Sequence, residues 1–183
     1  MAITGQQAWA VLEQAECLYS QDQIETALTA MAAAITVVLK ESNPLIVCVM
    51  NGGLVPLGRL LPQLKFPLQT DYIHASRYGE ALTGGEIVWK GGPINSVADR
   101  TILLVDDILD EGVTLAAIDQ RLRDAGAAVV LKAVLVTKRK RKPAATVADF
   151  SALEVPDRYV FGYGMDYEGY LRNLPEIYAV GGS

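Results

Sequence analysis

Apolar residues near the start of the chain recur at the spacing of an α-helix. One face of such a helix would carry Ile24, Ala27, Leu28, Met31, Ile35 and Val38. Ser20, with Gln23 three residues later, has the pattern of a capping box at a helix start, and Asn43-Pro44 would end the helical region. We therefore predict that residues 1–43 form a helical N-terminal part.

Short apolar runs rich in β-branched and aromatic residues follow, and they predict strands at 45–50, 68–75, 101–105, 129–137 and 159–162. The run 101–105 is almost wholly apolar and does not alternate, as in a strand covered on both faces. Leu115, Ile118 and Leu122 then predict a helix that ends near Gly126. Strand, helix and strand in this order form a βαβ unit. The sequence therefore predicts an α/β fold, a mainly parallel central sheet flanked by helices, with ligands at the carboxyl ends of the strands.

Length and composition narrow the class of protein. With 183 residues, 51% of them hydrophobic, the chain fits a single domain spanning 1–183. The formal net charge of −5 argues against a general nucleic-acid partner. Cys17 and Cys48 are too few for a disulfide framework or a zinc cluster. No signal-peptide pattern occurs and no apolar run approaches the roughly 20 residues of a membrane span, so we expect a cytoplasmic protein with no membrane partner.

The stretch 105–114, which reads VDDILDEGVT, places three aspartates and a Gly-x-Thr sequence between a buried strand and a helix start. The free N–H groups and positive dipole end of a helix bind phosphate, and Gly112 lets the backbone approach closely while Thr114 offers a hydroxyl. Adjacent carboxylates such as Asp106 and Asp107 bind ribose hydroxyls or hold Mg²⁺ through its waters. An acidic loop that merely caps the helix remains the alternative.

This stretch resembles the signature with which type I phosphoribosyltransferases bind phosphoribosyl pyrophosphate (PRPP): two acids, two apolar residues, aspartate, a small hydroxyl residue, glycine, any residue and threonine. The resemblance implies that Asp106 and Asp107 contact the ribose hydroxyls and Mg²⁺. It places Asp110 near N7 of a purine, as the catalytic general base. The loop that would cradle the 5-phosphate consists of Asp110, Glu111, Gly112, Val113 and Thr114.

Three further segments, 45–59, 71–90 and 155–179, resemble hypoxanthine-guanine phosphoribosyltransferases in the same order along the chain. The last segment is the most specific. The resemblance implies the fold of that family, with a purine-binding hood at 155–183 and a mobile flap at 76–92 that includes Arg77 and Tyr78. It also implies a homodimer or homotetramer.

Within the last segment, the resemblance implies a purine site. Tyr159 would stack on the base, Val160 would offer main-chain hydrogen bonds to the base edge, and Asp166 would help to hold the metal through a water network. Arg172 would contact pyrophosphate. Without the resemblance, Tyr159 is more typical of a core aromatic residue and Arg172 of a surface ion pair.

Lys138 stands where the family carries a lysine that contacts the 6-oxo group of the base. A donor at this point favours hypoxanthine or guanine over adenine, which presents its own amino donor. The implied activity is transfer of 5-phosphoribosyl from PRPP to either base, giving IMP or GMP. The alternatives are a xanthine or adenine phosphoribosyltransferase, or a nucleotide-sensing regulatory homologue that binds RNA or DNA through the basic run 138–142.

One further segment resembles the family's pyrophosphate site, and one residue of the 5-phosphate loop departs from the family. Asn51 and Gly52 resemble the family's pyrophosphate loop, in which a strained or cis peptide exposes backbone N–H groups to the leaving group. Gly52 and Gly53 suit that close approach, although an ordinary turn has the same composition. Glu111 departs from the family, because Thr or Ser is usual there. A carboxylate facing a phosphate dianion would be repelled by several kcal/mol at roughly 4 Å and an effective ε near 20, so we predict that Glu111 faces away or bonds a basic neighbour.

Overall fold

The computed structural model describes residues 3–77, 87–93, 95–140 and 142–181, without the side chains of Ser76, Arg77 and Ile87. Along the chain the elements are α1 (Gly5–Glu13), β1 (Glu16–Tyr19), α2 (Gln21–Leu39), β2 (Leu45–Met50), α3 (Leu54–Leu60), a 3₁₀ turn (Leu61–Gln63), β3 (Gln69–Arg77), β4 (Ile87–Gly91), β5 (Thr101–Leu109), α4 (Val113–Asp124), β6 (Val129–Lys138), β7 (Phe150–Val155), β8 (Val160–Phe161) and β9 (Ile177–Ala179).

The described strands form two sheets. The larger has six strands in the order β4-β3-β2-β5-β6-β7. All neighbours in it are parallel except β3 and β4, which are antiparallel. The smaller is an antiparallel sheet in the order β1-β9-β8. The prediction of an α/β fold with a mainly parallel central sheet is confirmed.

The central strands are apolar because both of their faces are covered. Along β5, Leu103 and Val105 pack on the side of α2 and α3, whereas Ile102 and Leu104 pack on the side of α4. Side chains alternate across a strand, so a strand buried on both faces shows no polar alternation. The core therefore lies in two layers, and the carboxyl ends of the strands carry the polar residues.

The predicted capping box at Ser20 is confirmed, but the N-terminal part is not wholly helical. Ser20 and Gln23 form the expected capping box at the start of α2. A second box, Thr4 with Gln7, begins α1. The prediction of a helical 1–43 is wrong at 16–19, where β1 pairs with β9. A four-residue edge strand whose partner lies some 160 residues away leaves no local periodicity to read.

Three other strands, β4, β7 and β9, were not predicted. The predicted strand at 159–162 is also shorter than expected and belongs to the small antiparallel sheet. Strand β7 lies at the edge of the large sheet and mixes exposed, partly buried and buried residues. Strand β4 lies within the segment 76–92 that was expected to be flap. Edge strands lose the continuous apolar run that marks a central strand.

Helix α2 corrects the expectation that no stretch approaches the length of a membrane span. Among the described residues it alone is long and apolar enough, with 19 residues and a mean hydropathy of 1.3. Ile24, Leu28 and Ile35 are nevertheless fully buried in the core of the domain. This burial is typical of the core helix of a globular domain.

Candidate active site

A cavity of about 720 Å³ opens at the carboxyl ends of the central strands. Every residue predicted to bind PRPP lines it: Asn51, Gly52, Asp106, Asp107, Asp110, Glu111, Gly112, Val113, Thr114 and Arg172. These residues come from the loop after β2, the end of β5, the start of α4 and the loop before β9. The parallel arrangement brings these strand ends to one edge, as expected for ligand sites in such sheets.

A second cavity, of about 260 Å³, adjoins the first. It is lined by all four residues predicted to bind the purine, namely Lys138, Tyr159, Val160 and Asp166, together with Asp107, Ile108, Asp110 and Met165. The ring of Tyr159 is 49% exposed and meets Tyr167 edge-on, with ring centroids 5.3 Å apart. Tyr159 is therefore a partly exposed ring at a cavity, not a core aromatic residue.

The two cavities share four lining residues: Asp107, Ile108, Asp110 and Asp166. Three of these four carry a carboxylate. A molecule in the large cavity and a planar molecule in the small one would therefore meet beside Asp110. The end of β5 supplies most of this junction because the strand continues four residues beyond the predicted 101–105.

The adjacent acids at the end of β5 are largely shielded from water. Burial raises the pKa of Asp106, and the charge of Asp107 raises it further. Burial also raises the pKa of Asp107, whereas the Asp106 hydrogen bond and the Arg172 charge act in the opposite direction. Two carboxylates held this close and this dry are stabilised by an approaching cation or by hydroxyl donors.

Asp110 is held between two lysines. Lys138 Nζ donates to Asp110 Oδ2 at 2.8 Å, and Lys140 Nζ forms an ion pair with Asp110 Oδ1. Burial alone would raise the pKa of Asp110, but the hydrogen bonds and charges of the two ammonium groups outweigh it and hold the pKa below its usual value. Asp110 is thus kept as a carboxylate. Of the two lysines, only Lys138 was singled out from the sequence.

The loop before α4 has the form of an anion cradle. Gly112 caps the helix with a φ of 72°, a left-handed conformation that favours glycine. A hydrogen bond from another loop holds this loop, because Ala145 N–H donates to the main-chain oxygen of Glu111 at 2.8 Å. Glu111 itself is exposed and borders both the large cavity and a neighbouring cavity with Lys140 and Lys142. The prediction that its carboxylate avoids the phosphate stays a prediction.

The loop after β2 lies against the acids of β5. The Met50–Asn51 peptide bond is cis, as the resemblance implied. A Cβ on Gly52 would lie 2.1 Å from Asp107 Oδ2, and a Cβ on Gly53 would lie 2.4 Å from Val105 O. Both glycines are therefore needed for close packing of this loop on β5. The sequence had suggested a different reason, close approach of the loop to the leaving group.

Arg172 borders the large cavity and contacts Asp107 and Asp166, which line both cavities. Its Nη2 pairs with Asp166 Oδ1 at 2.6 Å, and its Nη1 donates to Gly164 O at 2.6 Å and lies 3.7 Å from Asp107 Oδ2. Asp166 Oδ2 accepts a hydrogen bond from Gly169 N–H at 2.7 Å. The guanidinium therefore ties the hood loop to the end of β5 and partly offsets the charge of the acids. Its predicted contact with pyrophosphate stays a prediction.

The predicted metal ligands Asp106, Asp107 and Asp166 do not form a complete set of protein ligands around one metal ion. Within the described ranges, no three or more His, Cys, Asp or Glu side chains are grouped so as to hold a metal ion. All three aspartates border the large cavity; Asp166 is also bonded through both oxygens, to Arg172 and to Gly169 N–H, whereas Asp106 and Asp107 lie side by side at the end of β5. Two carboxylates at the edge of a roomy cavity fit Mg²⁺ that takes its other ligands from water and substrate phosphates.

Two polar lining residues of the large cavity were not assigned a role from the sequence. His74 at β3 and Lys90 at β4 both border it. Lys90 lies on β4, a strand that the sequence did not predict. The predicted flap residues are not placed: Tyr78 and the side chain of Arg77 lie outside the described residues.

The fold and this pair of cavities define a phosphoribosyltransferase. The profile of the phosphoribosyl transferase domain matches residues 14–168, and the chain belongs to that family. Among curated relatives, the hypoxanthine-guanine-xanthine phosphoribosyltransferase of Tritrichomonas foetus is 32% identical over 161 residues, which are 87% of this chain and 88% of that protein. The hypoxanthine-guanine phosphoribosyltransferase of Bacillus subtilis is 32% identical over 161 residues, 87% of this chain and 89% of its own.

A solved structure shows the same fold. The hypoxanthine phosphoribosyltransferase of Staphylococcus aureus superposes with a TM-score of 0.86, covering 93% of this chain and 94% of that one at 24% sequence identity.

Proposed function

We propose that this protein transfers the 5-phosphoribosyl group of PRPP to N9 of hypoxanthine or guanine, giving IMP or GMP and pyrophosphate. The observation that carries the proposal is the junction of two cavities at Asp110: a large one with a helix-start anion cradle and paired acids, and a small one with an aromatic ring and a lysine. The names of the relatives support the same substrates.

In this proposal the chain acts mainly by positioning and by charge. The loop 110–114 holds the 5-phosphate, and Asp106 and Asp107 hold the ribose hydroxyls. Mg²⁺ bound to PRPP and water beside these two acids would neutralise charge on the leaving pyrophosphate. As the bond from ribose C1 to pyrophosphate breaks, the base in the small cavity forms the new bond through N9. Asp110 accepts or shares the N7 proton as general base.

The proposal extends to a magnesium requirement, a cytoplasmic location and a homodimer or homotetramer. Purified protein incubated with PRPP and Mg²⁺ is expected to form IMP from hypoxanthine and GMP from guanine, and EDTA is expected to abolish both reactions. Xanthine is also tested because the name of one relative includes it, and adenine because it is the other alternative base. PRPP binding without turnover of any purine would instead favour the regulatory homologue. Light scattering measures the oligomeric state.

The choice of base is expected to depend on Lys138, which borders the small cavity. Lys138→Met should lower kcat/KM for hypoxanthine and guanine by about 10- to 100-fold, the worth of one charge-assisted hydrogen bond. The value for adenine should fall much less, since adenine offers no 6-oxo acceptor. Lys138 also contacts Asp110, and a disturbance of Asp110 would lower kcat/KM for every purine. The ratio of oxopurine to adenine kcat/KM therefore distinguishes loss of the 6-oxo contact from this general loss of activity.

Lys142→Met is a matched control for that experiment, because the same charge is removed four residues away from an exposed position. It should leave the ratio unchanged. An equal fall for all four purines in Lys138→Met would contradict the selectivity role.

A further inference from the structure

Lys140 stands out because it contacts the carboxylate at the centre of the site without bordering the purine cavity. It forms an ion pair with Asp110 Oδ1, yet it lines a different cavity, of about 750 Å³, that also contains Glu111, Lys142 and Asp157. Its ammonium therefore reaches Asp110 from the side away from the base.

The position of Lys140 follows from the strand geometry. Lys138 is the last residue of β6, and the ladder with β7 continues one residue further, where Arg139 N–H donates to Val155 O at 2.8 Å. Residues two apart on an extended chain point to the same side. Lys138 and Lys140 both contact Asp110, while Arg139 between them pairs with Glu154 at 3.5 Å.

The two lysines use different oxygens of the same carboxylate. Lys138 donates a hydrogen bond to Oδ2, whereas Lys140 forms an ion pair with Oδ1, so the two contacts exist at the same time. Under the proposed function, Lys138 must turn to the 6-oxo group of the base, and this movement removes its charge from Asp110. A half-buried carboxylate left without a counter-ion is destabilised and gains a proton more readily.

We propose that Lys140 is a positioning residue that remains on Asp110 Oδ1 when Lys138 moves to the base. It thereby keeps Asp110 ionised and leaves Oδ2 free to accept the N7 proton. This inference rests on the proposed function for its catalytic consequence, but not for the ion pair itself. Lys138 and Lys140 contact Asp110 directly. The other titratable groups around the small cavity are Asp107, Tyr159 and Asp166. Glu111 and Asp157 lie near Lys140.

The first test does not depend on turnover. In protein labelled with ¹³C at aspartate carboxyl carbons, the Asp110 signal is assigned by its loss in Asp110→Asn, and its titration is followed with pH. Lys140→Met should move the Asp110 titration to higher pH, because a charge that lowers the pKa has been removed. Lys140→Arg should restore it, and Lys142→Met should leave it unchanged. An unmoved Asp110 titration in Lys140→Met overturns the inference.

The second test uses the reaction. Lys140→Met is expected to lower kcat by about 5- to 10-fold, less than a fully buried pair would cost because Lys140 is partly exposed, with the KM for PRPP nearly unchanged. The acidic limb of kcat against pH should move to higher pH, since Asp110 must be ionised to accept a proton. An equal loss in Lys142→Met, or an unmoved limb, contradicts the role. If the unaltered protein turns over no purine, the proposed function fails, and the carboxyl titration still decides the ion pair.

Discussion

Replacing Asp110 with asparagine is expected to lower kcat by about 10²- to 10⁴-fold, the usual contribution of a positioned general base. The amide is nearly the same size as the carboxylate but cannot accept the N7 proton. It also leaves the ammonium groups of Lys138 and Lys140 without the charge that they now share. The KM for PRPP should change much less than kcat, because residues 111–114 of the phosphate cradle and the paired acids are unaltered.

The measurement is steady-state kinetics with saturating PRPP and hypoxanthine across the pH range. Asp124→Asn is a matched control, because it makes the same replacement at an exposed position at the end of α4. Far-UV circular dichroism and the thermal midpoint exclude a folding defect. Full kcat in Asp110→Asn would show that Asp110 is not the base.

Gly52→Ala is expected to lower kcat/KM for PRPP by about 100-fold or more. A Cβ at this position would lie 2.1 Å from Asp107 Oδ2 and 2.3 Å from its Cγ, so the carboxylate must move. Asp107 is only 8% exposed and lies at the junction of the two cavities, so any shift moves a carboxylate of the site itself. Displacements of about 1 Å in a positioned site cost on the order of 10²-fold in rate. Overpacking should also lower the free energy of unfolding by about 1–3 kcal/mol.

Gly58→Ala is the control for that substitution. Gly58 lies inside α3, and a Cβ there would meet nothing within 4 Å. Alanine in a helix interior is more stable than glycine by about 0.5–1 kcal/mol, so this variant should be slightly stabilised and fully active. Unchanged kcat/KM for PRPP in Gly52→Ala would mean that the position of Asp107 does not matter to catalysis.

Both predictions depend on residues that were noticed in the sequence, but the structure changed the reason for one of them. Gly52 had been interpreted as a place where the leaving group approaches the backbone, whereas its most demanding neighbour is Asp107. Asp110 was interpreted through its expected contact with the base, and the structure adds the second lysine that holds it ionised. In each case the physical reason comes from a contact with a residue on another part of the sheet, which the residue type alone does not indicate.

What the sequence determined by itself is the part of the molecule that is local. The apolar runs of β2, β5 and β6, the capping box of α2 and the acids followed by Gly-x-Thr all lie within short stretches, and each stretch carries its own physical signal. These signals were sufficient for the α/β class and indicated a phosphate site at the start of α4, whose assignment to PRPP rests on the resemblance. The purine side was indicated by resemblance, and the roles of its residues stay predictions.

The tertiary structure alone decided the features that depend on pairing between distant segments. Strand β1 exists because β9 lies beside it, Lys140 reaches Asp110 because β5 and β6 are neighbours, and Arg172 joins Asp107 to Asp166 because the hood folds back over β5. No local periodicity encodes such contacts, since the free energy that stabilises them comes from burial and charge between elements far apart in the chain.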